Sequence, residues 1–248
     1  MQHQNKVRYS RQSILREIGL GGQKTLLNSK VLVVGAGGLG SPCLLYLASS
    51  GVGTIGIMDK DKVEIHNLQR QIIHETSDIG RKKPESAKDT LHDLNPEINI
   101  ITYTEELTKK NIEKIFREYD LIIDGSDNYE TRFLINDYCH KLKKPLVTAA
   151  ILGFEGQVMA FKSYEPDEPC YRCIYPEMPP EGTMPNCSLN GIFAPVAGVA
   201  GSMQAALAIK ILLNIGNDIT KNITVFNLKK NEFRKVKTGK DTTCRTCS

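Results

Sequence analysis

Val31-Leu32-Val33-Val34-Gly35-Ala36-Gly37-Gly38-Leu39-Gly40-Ser41-Pro42 decides the fold. Four consecutive apolar residues rich in β-branching read as a strand buried on both faces, the habit of parallel sheets. The run stops at a glycine cluster. Ser41-Pro42 then fits a helix start, because proline lacks only an N–H that the first turn leaves unpaired anyway. The helix expected there passes Leu47 and Ala48 and ends at Gly51-Val52-Gly53. Thr54 to Met58 forms a second strand that closes at Asp59. A strand–helix–strand segment of about thirty residues is one parallel crossover unit.

The same alternation continues on both sides. The first thirty residues are polar and predict helix over Gln12–Ile18 and Gln23–Leu27, broken by Gly19, Gly21 and Gly22. Downstream come helix (Pro84–Leu94), strand (Ile98–Tyr103), helix (Thr108–Glu118), strand (Leu121–Asp124), helix (Glu130–Lys141) and strand (Leu146–Ala149). Alternating β and α segments build a mostly parallel sheet covered on both faces. After Gly153 the pattern changes: strands at Gly156–Lys162 and Ile223–Asn227 flank a long helix, Val196–Leu213, and Phe233–Val236 adds an edge strand. Tyr164 to Asn190 reads as a loop rich in Pro, Glu and Gly, a length usually reserved for function.

Composition narrows the class. The 248 residues are 40% hydrophobic and 24% charged, which is ordinary for a globular chain. The net charge of +4 is too small to mark a nucleic-acid binder. The N-terminus carries no apolar signal core. The apolar stretch Ile192–Leu213 is interrupted by Pro195, Gln204 and Lys210 and reads as a buried helix rather than a membrane span.

Gly35-Ala36-Gly37-Gly38-Leu39-Gly40 fits G-x-G-x-x-G between a strand and a helix, where free N–H groups meet a phosphate. Asp59 lies 24 residues beyond Gly35, near the spacing of an acid that grips ribose hydroxyls. The motif alone does not separate a dinucleotide from ATP, so an NAD-linked oxidoreductase is the rival reading, and a non-catalytic nucleotide-fold scaffold a third. The polar stretch His66–Gln71, then Lys83, then Asp124-Gly125-Ser126-Asp127-Asn128 all follow strands toward the ligand edge of the sheet. Two cations and an extra carboxylate suit a triphosphate with Mg²⁺ better than a dinucleotide.

Seven cysteines include two C-x-x-C pairs, Cys170/Cys173 and Cys244/Cys247. Four thiolates are the complement of a closed structural Zn²⁺ site. Such a site would tie the C-terminal residues to the Tyr164–Asn190 loop. Cys43 and Cys139 fall inside predicted helices and read as core. Cys187 lies in the loop, where a thiol would reach a substrate.

Arg8-Tyr9-Ser10-Arg11-Gln12, the glycine loop, the Asp59–Arg70 block ending Asn67-Leu68-Gln69-Arg70-Gln71, Lys83, Ser126-Asp127-Asn128 and the two cysteine pairs together resemble the MoeB/ThiF/HesA family, bacterial relatives of ubiquitin-activating enzymes. The resemblance covers nearly the whole chain. It implies a single adenylation domain, with a helical arm (1–28), a nucleotide-binding half (29–150) and a carrier-binding and zinc half (151–248). The implied fold is α/β and Rossmann-like, with a mixed central sheet, helices on both faces and a C-terminal zinc site. The implied activity is ATP-dependent adenylation of the C-terminal Gly-Gly carboxylate of a small β-grasp sulfur-carrier protein, MoaD or ThiS, for molybdopterin or thiamine biosynthesis. Relatives that activate a tRNA base or a peptide carboxylate are the alternative within the family.

Carried over by position, Gly35, Gly37, Gly38 and Gly40 would line the nucleotide, and Asp59 and Asp61 would stand at its ribose end. Asn67, Arg70 and Lys83 would hold phosphates, Asp127 would hold Mg²⁺ with Asn128 beside it, and Arg11 would reach the nucleotide of the other subunit of a homodimer. Cys170, Cys173, Cys244 and Cys247 would hold zinc, and Cys187 matches a loop cysteine with a covalent role proposed mainly in the ThiF branch. The family is cytoplasmic, free of membrane and nucleic acid, and takes sulfur from a separate donor protein when no sulfurtransferase domain is fused. Ala36 replaces a larger apolar residue. Ala150–Phe154 and Cys170–Pro176 lean toward ThiF and Gly80–Ala87 toward MoeB.

Overall fold

The buried run becomes strand β1 (Lys30–Val34) of the computed structural model, which describes residues 7–178, 191–217 and 219–248. Ahead of it stand helices α1 (Ser10–Ser13) and α2 (Gly19–Asn28). After it come α3 (Gly40–Ser49), β2 (Thr54–Met58), 3-10 turns at Ile65–Asn67 and Thr76–Asp78, α4 (Lys83–Leu94), β3 (Asn99–Tyr103), α5 (Ile112–Arg117), β4 (Leu121–Asp124), α6 (Tyr129–Lys141) and β5 (Leu146–Leu152). The remainder is β6 (Glu155–Phe161), α7 (Tyr171–Ile174), α8 (Ala194–Leu212), β7 (Asn222–Asn227) and β8 (Glu232–Lys237).

The strands form one sheet in the order β3-β2-β1-β4-β5-β6-β7-β8. The first five in that order run parallel, and β6, β7 and β8 each run antiparallel to the strand before. This is the mixed sheet expected. Chain direction reverses its path across the sheet between β1 and β4, and that switch point opens a crevice at the carboxyl ends of the strands.

Strand pleating divides the core in two. Val31 and Val33 pack with Leu26, Leu44, Leu91 and Ala205 of α2, α3, α4 and α8. Leu32 and Val34 point the other way, into Phe116, Phe133, Ile135 and Tyr171 of α5, α6 and α7. Helices therefore cover both faces. Each such side chain, fully buried, contributes about 1.5–3 kcal/mol. Gly56 in β2 has a steric reason: a Cβ there would collide with the Tyr119 hydroxyl, so the strand is bare where that ring crosses it.

Most expected elements form, with informative differences; the helix predicted over Gln12–Ile18 does not, since α1 ends at Ser13 and residues 14–18 are turn, closed by the Ile18 N–H on the Leu15 carbonyl at 3.0 Å. Helix α2 runs through Gly21 and Gly22, where the sequence predicts a break, because Gln23 and Leu26 are driven into the core and tertiary burial outweighs glycine's weak propensity. Helix α5 starts four residues late: the Asn111 carboxamide accepts the Thr108 N–H at 2.8 Å and holds 108–111 as a turn. β5 extends to Leu152 because β6 pairs along its full length. The predicted loop after Tyr164 contains helix α7.

Helix α8 has 19 residues and mean hydropathy 1.4 over its most apolar window, long and apolar enough by length and composition to cross a membrane. Here it packs against α3, β5 and β6, with Val196, Ala200, Gln204 and Ala208 buried. That window is 39% buried, so the core helix expected from sequence buries one face and leaves Val199, Met203 and Leu207 half-covered.

Gly201 is where α8 meets α3 closest: an added Cβ would strike the Leu39 carbonyl and Pro42. Gly201→Ala should therefore cost about 1–3 kcal/mol by overpacking. Gly198→Ala, three residues earlier with open space around it, should gain up to about 1 kcal/mol of helix propensity. Denaturant melts of the two variants check the sign of each.

Candidate functional site

Two turns meet at the switch point. Gly35 follows β1 with φ +99°, a backbone state that favours glycine, and a Cβ there would lie 2.6 Å from the Gly125 carbonyl of the turn after β4. A Cβ at Gly40 would collide with the Gly35 carbonyl, so the helix can start only if residue 40 is bare. Gly125 donates its N–H to the Val34 carbonyl at 2.8 Å, stitching the two turns together.

Asp59 locks the glycine loop from below. Its Oδ2 accepts the Ala36 N–H at 2.9 Å and its Oδ1 accepts the Asp61 N–H at 2.9 Å. Hydrogen bonds to an ionised acceptor are about twice as strong as neutral ones, and each carboxylate oxygen keeps a second lone pair for a ligand hydroxyl. Behind the loop, the His74 ring lies between the Ala36 carbonyl (2.9 Å) and Ser86 Oγ (2.7 Å). Burial holds the His74 pKa below its ordinary value.

These turns wall a cavity of about 480 Å³. That is within the usual range for a small-molecule site. Of the predicted residues, Gly35, Gly37, Gly38, Asp59, Asp61, Arg70, Lys83, Asp127 and Asn128 line it together. Asn67 and Gly40 do not. The Asn67 Oδ1 is taken by the Glu64 N–H at 3.2 Å, closing the 3-10 turn that carries Arg70 toward the cavity. Gly40 acts in the turn itself. Arg11 sits exposed on α1 and does not line its own chain's cavity. Cys187 lies outside the described residues.

The charges divide unevenly. Six carboxylates (Asp59, Asp61, Glu105, Glu106, Asp127, Glu155) and four cations (Lys60, Arg70, Lys83, Arg132) line the cavity. Lys83 is buried at the N-terminus of α4 and pairs with Asp61 at 3.2 Å, while Lys60 pairs with Glu106 at 2.6 Å. Arg70 rests on the His66 carbonyl at 3.3 Å, and Asp127 is exposed with no ion pair among the described residues. The Asn128 carboxamide accepts the Thr131 N–H at 2.8 Å and caps α6.

Sequence reasoning missed what lies beneath this loop. Asp124, wholly buried, accepts four bonds: Ser126 N–H (2.9 Å) and Oγ (2.5 Å), Arg132 Nε (3.1 Å) and Thr148 Oγ1 (2.6 Å). Gln204 of α8 donates to the Asp124 carbonyl at 2.7 Å. The available signal was an aspartate ending the otherwise apolar strand Leu121-Ile122-Ile123 and an arginine on the apolar side of α6. Gln71 is also buried against the loop, its Nε2 3.5 Å from where a Gly37 Cβ would stand, and its Oε1 has no partner among the described residues.

The two cysteine pairs converge beside the middle of α6, against Asn136 and Asp137. The sulfurs of Cys170, Cys173, Cys244 and Cys247 all lie within 4.8 Å of one another. Three of the contacts measure 3.5 Å (Cys170–Cys244), 3.9 Å (Cys170–Cys173) and 3.4 Å (Cys173–Cys247). A tetrahedral Zn²⁺ with bonds of about 2.3 Å separates its sulfurs by about 3.8 Å, so the quartet fits that ion. With no cation, burial and the neighbouring Cys173 push the Cys170 thiol up to about 12, and burial drives Cys247 up as well. Burial also opposes ionisation of Cys244, but the N–H groups of Thr246 and Cys247 outweigh it and hold that thiol below its ordinary value. Cys43 and Cys139 are buried core thiols, as expected.

The model of the ThiF family matches residues 9–246. A sulfur carrier protein adenylyltransferase of Thermus thermophilus is 42% identical over 97% of this chain and 90% of its own length. The adenylyltransferase and sulfurtransferase MOCS3 of Culex quinquefasciatus is 45% identical over 97% of this chain, which spans 55% of that longer protein. MoeZ of Mycobacterium tuberculosis, a probable adenylyltransferase/sulfurtransferase, is 43% identical over 94% of this chain and 60% of its own length. Among solved structures, E. coli MccB with ATP superposes at TM-score 0.80 with 24% identity, over 97% of this chain and 73% of that one, a likeness of fold.

The cysteine quartet generates a direct prediction. Purified protein should carry one Zn²⁺ per chain, and changing Cys244 and Cys247 to Ser should abolish it. Because the metal takes thiolates and Cys170 and Cys247 hold their protons when free, binding releases protons, and zinc affinity should fall as pH falls. Metal analysis after dialysis at pH 7.5 and at pH 5.5 checks both statements.

Proposed function

The chain belongs to the ThiF family, and from that premise we propose that it transfers AMP from ATP to the C-terminal carboxylate of a small β-grasp sulfur-carrier protein ending in Gly-Gly, MoaD or ThiS, releasing pyrophosphate. The observation that carries this reading is one cavity that gathers the glycine loop, Asp59, Arg70, Lys83 and Asp127 at the switch point of the sheet. A dinucleotide oxidoreductase leaves Arg70, Lys83 and Asp127 without a common task.

In this reading, the glycine-loop N–H groups receive the phosphates and Asp59 receives the ribose hydroxyls while holding the loop. A carrier carboxylate oxygen attacks the α-phosphorus; the bond to the bridging α–β oxygen breaks and its electron pair leaves with pyrophosphate. No proton moves, since the attacking carboxylate is already ionised. The obstacle is charge, because an anion must approach a polyanion, so catalysis is positioning plus cationic shielding. Arg70 and Lys83 supply part of it. The excess of carboxylates over cations in the cavity leaves room for more positive charge. Asp127, exposed and without an ion pair among the described residues, is the residue to hold Mg²⁺, which shields the triphosphate when bound.

Arg11 of a second copy supplies the remaining cation. Support for a homodimer is the apolar surface left open in one chain: Ile14, Leu15 and Leu20 on the N-terminal arm and the half-covered face of α8.

Carrier-dependent exchange of labelled pyrophosphate into ATP tests this function, and running MoaD and ThiS side by side assigns the carrier. Arg70→Ala and Lys83→Ala should each lose about 10²–10³ in rate, the scale of removing a preorganised electrostatic donor. Cys187→Ala should leave exchange near wild type, because a thiol acts only after the adenylate exists. Mixed dimers of Arg11→Ala and Asp127→Ala chains should regain activity, since one site is then complete; confirmed mixed dimers without activity would rule out action across the interface.

A further inference from the structure

We infer that the four-cysteine cluster holds the Ser126–Asn128 turn in place through a packed relay, Cys170 to Tyr171 to Arg132 to Asp124, and that Arg132 is the positioning residue for Asp127. The inference deepens the adenylation reading, because it matters to catalysis only if Asp127 faces the nucleotide.

Helix α6 joins the two sites. At its N-terminus Asn128 is both cap and cavity wall. One turn on, Arg132 is 6% exposed and commits its guanidinium to the turn: Nε bonds Asp124 Oδ2 (3.1 Å), and Nη2 bonds the carbonyls of Ser126 (2.9 Å) and Ala149 (3.0 Å). The Ser126 carbonyl belongs to the peptide that carries Asp127. A rigid planar fork can hold an aspartate and two carbonyls on neighbouring strands at once, whereas a lysine ammonium is one flexible point charge. Asp124 completes the turn through the Ser126 N–H and hydroxyl.

Two turns along, α6 is bolted to the cluster. Asn136 accepts the Tyr171 N–H at 2.9 Å and directs its Nδ2 at Cys170 Sγ, 3.8 Å away. Asp137 takes a two-pronged bond from Arg172 (2.7 and 2.8 Å) and the Thr246 hydroxyl at 3.0 Å, so it grips residues from both cysteine pairs. The Arg172 guanidinium also lies 4.2 Å from the Phe133 ring. Between the two sites stands Tyr171, 1% exposed and adjacent to Cys170 in the chain. Its ring packs edge-on to Phe133 and Phe161, and the Arg132 guanidinium lies 5.9 Å from its centroid. The ring, together with that of Tyr129, 5.8 Å from the same guanidinium, is thus a wall that keeps Arg132 pressed toward the turn. If the cluster opens, Cys170 and Tyr171 lose their anchor, Arg132 gains room, and the Asp127 peptide loses its clamp.

Hydrogen exchange on the full chain reads this without any nucleotide. The Ser126 amide is the reporter and the Ile57 amide in β2 the internal reference. Tyr171→Ala, and separately the paired change of Cys244 and Cys247 to Ser, should speed Ser126 exchange about tenfold, the scale of losing a desolvated cation–π contact, while Ile57 stays unchanged. Tyr171→Phe, which keeps the ring and drops only the hydroxyl facing Arg132, should lie between wild type and Tyr171→Ala, and Arg132→Lys should reproduce the loss. A Ser126 amide that does not move in the folded cysteine variant would overturn the relay, and so would equal acceleration at Ile57, which would mean general loosening. Calorimetry of the same variants then separates the two levels. Weaker MgATP binding with unchanged adenosine binding supports both the relay and the role of Asp127. Faster Ser126 exchange with unchanged MgATP binding supports the relay and refutes the nucleotide-facing role of Asp127.

Discussion

Everything in this chain depends on two backbone turns touching. The Gly35 turn after β1 and the Gly125 turn after β4 approach so closely that Gly35 cannot carry a Cβ, and the Gly35 carbonyl in turn forbids one at Gly40. That contact sets the start of α3 and brings the glycine loop and Asp127 into the wall of one cavity. It forms because β1 and β4 are neighbours in register, Val34 beside Asp124, although ninety residues separate them in the chain. The carboxylates of Asp59, just after β2, and Asp124, at the end of β4, then brace the two turns from beneath.

The division of labour follows from burial. Asp124 has four donors and no solvent, so it is spent on structure. Asp127, three residues on, is exposed and unpaired among the described residues, so it is free to meet a cation. Arg132 and Lys83 divide in the same way: the first is consumed by a buried aspartate and two carbonyls, the second has one acidic partner at the rim of the cavity. Two aspartates and two cations thus have different work, decided by what surrounds them. Removing one member of the buried pair would strand a charge, which costs far more than the pair contributes.

How much was legible in the sequence varies with how local the physics is. The strands Val31–Val34, Thr54–Met58 and Leu121–Asp124 were readable because a buried parallel strand is a short apolar run with turn residues at its ends. The glycine loop and the cysteine pairs were readable because their geometry resides in close spacing. The start of α2 was misread because Gly21 and Gly22 suggest a break while the burial of Gln23 and Leu26 is a tertiary fact. The Asp124–Arg132–Thr148–Gln204 network escaped because its members lie up to 80 residues apart, and each alone looks like a cap or a surface polar. Asn67 was placed on a phosphate by resemblance; the structure commits its carboxamide oxygen to the turn that delivers Arg70.

The central claim is that this cavity makes an acyl-adenylate on a carrier protein. Intact mass spectrometry of the carrier after brief incubation with the enzyme, ATP and Mg²⁺ tests it most directly. The account predicts a carrier bearing one AMP on its terminal glycine, absent when that carboxylate is amidated, with pyrophosphate as the other product. A carrier that stays unmodified with either MoaD or ThiS while ATP is cleaved to ADP and phosphate would contradict it.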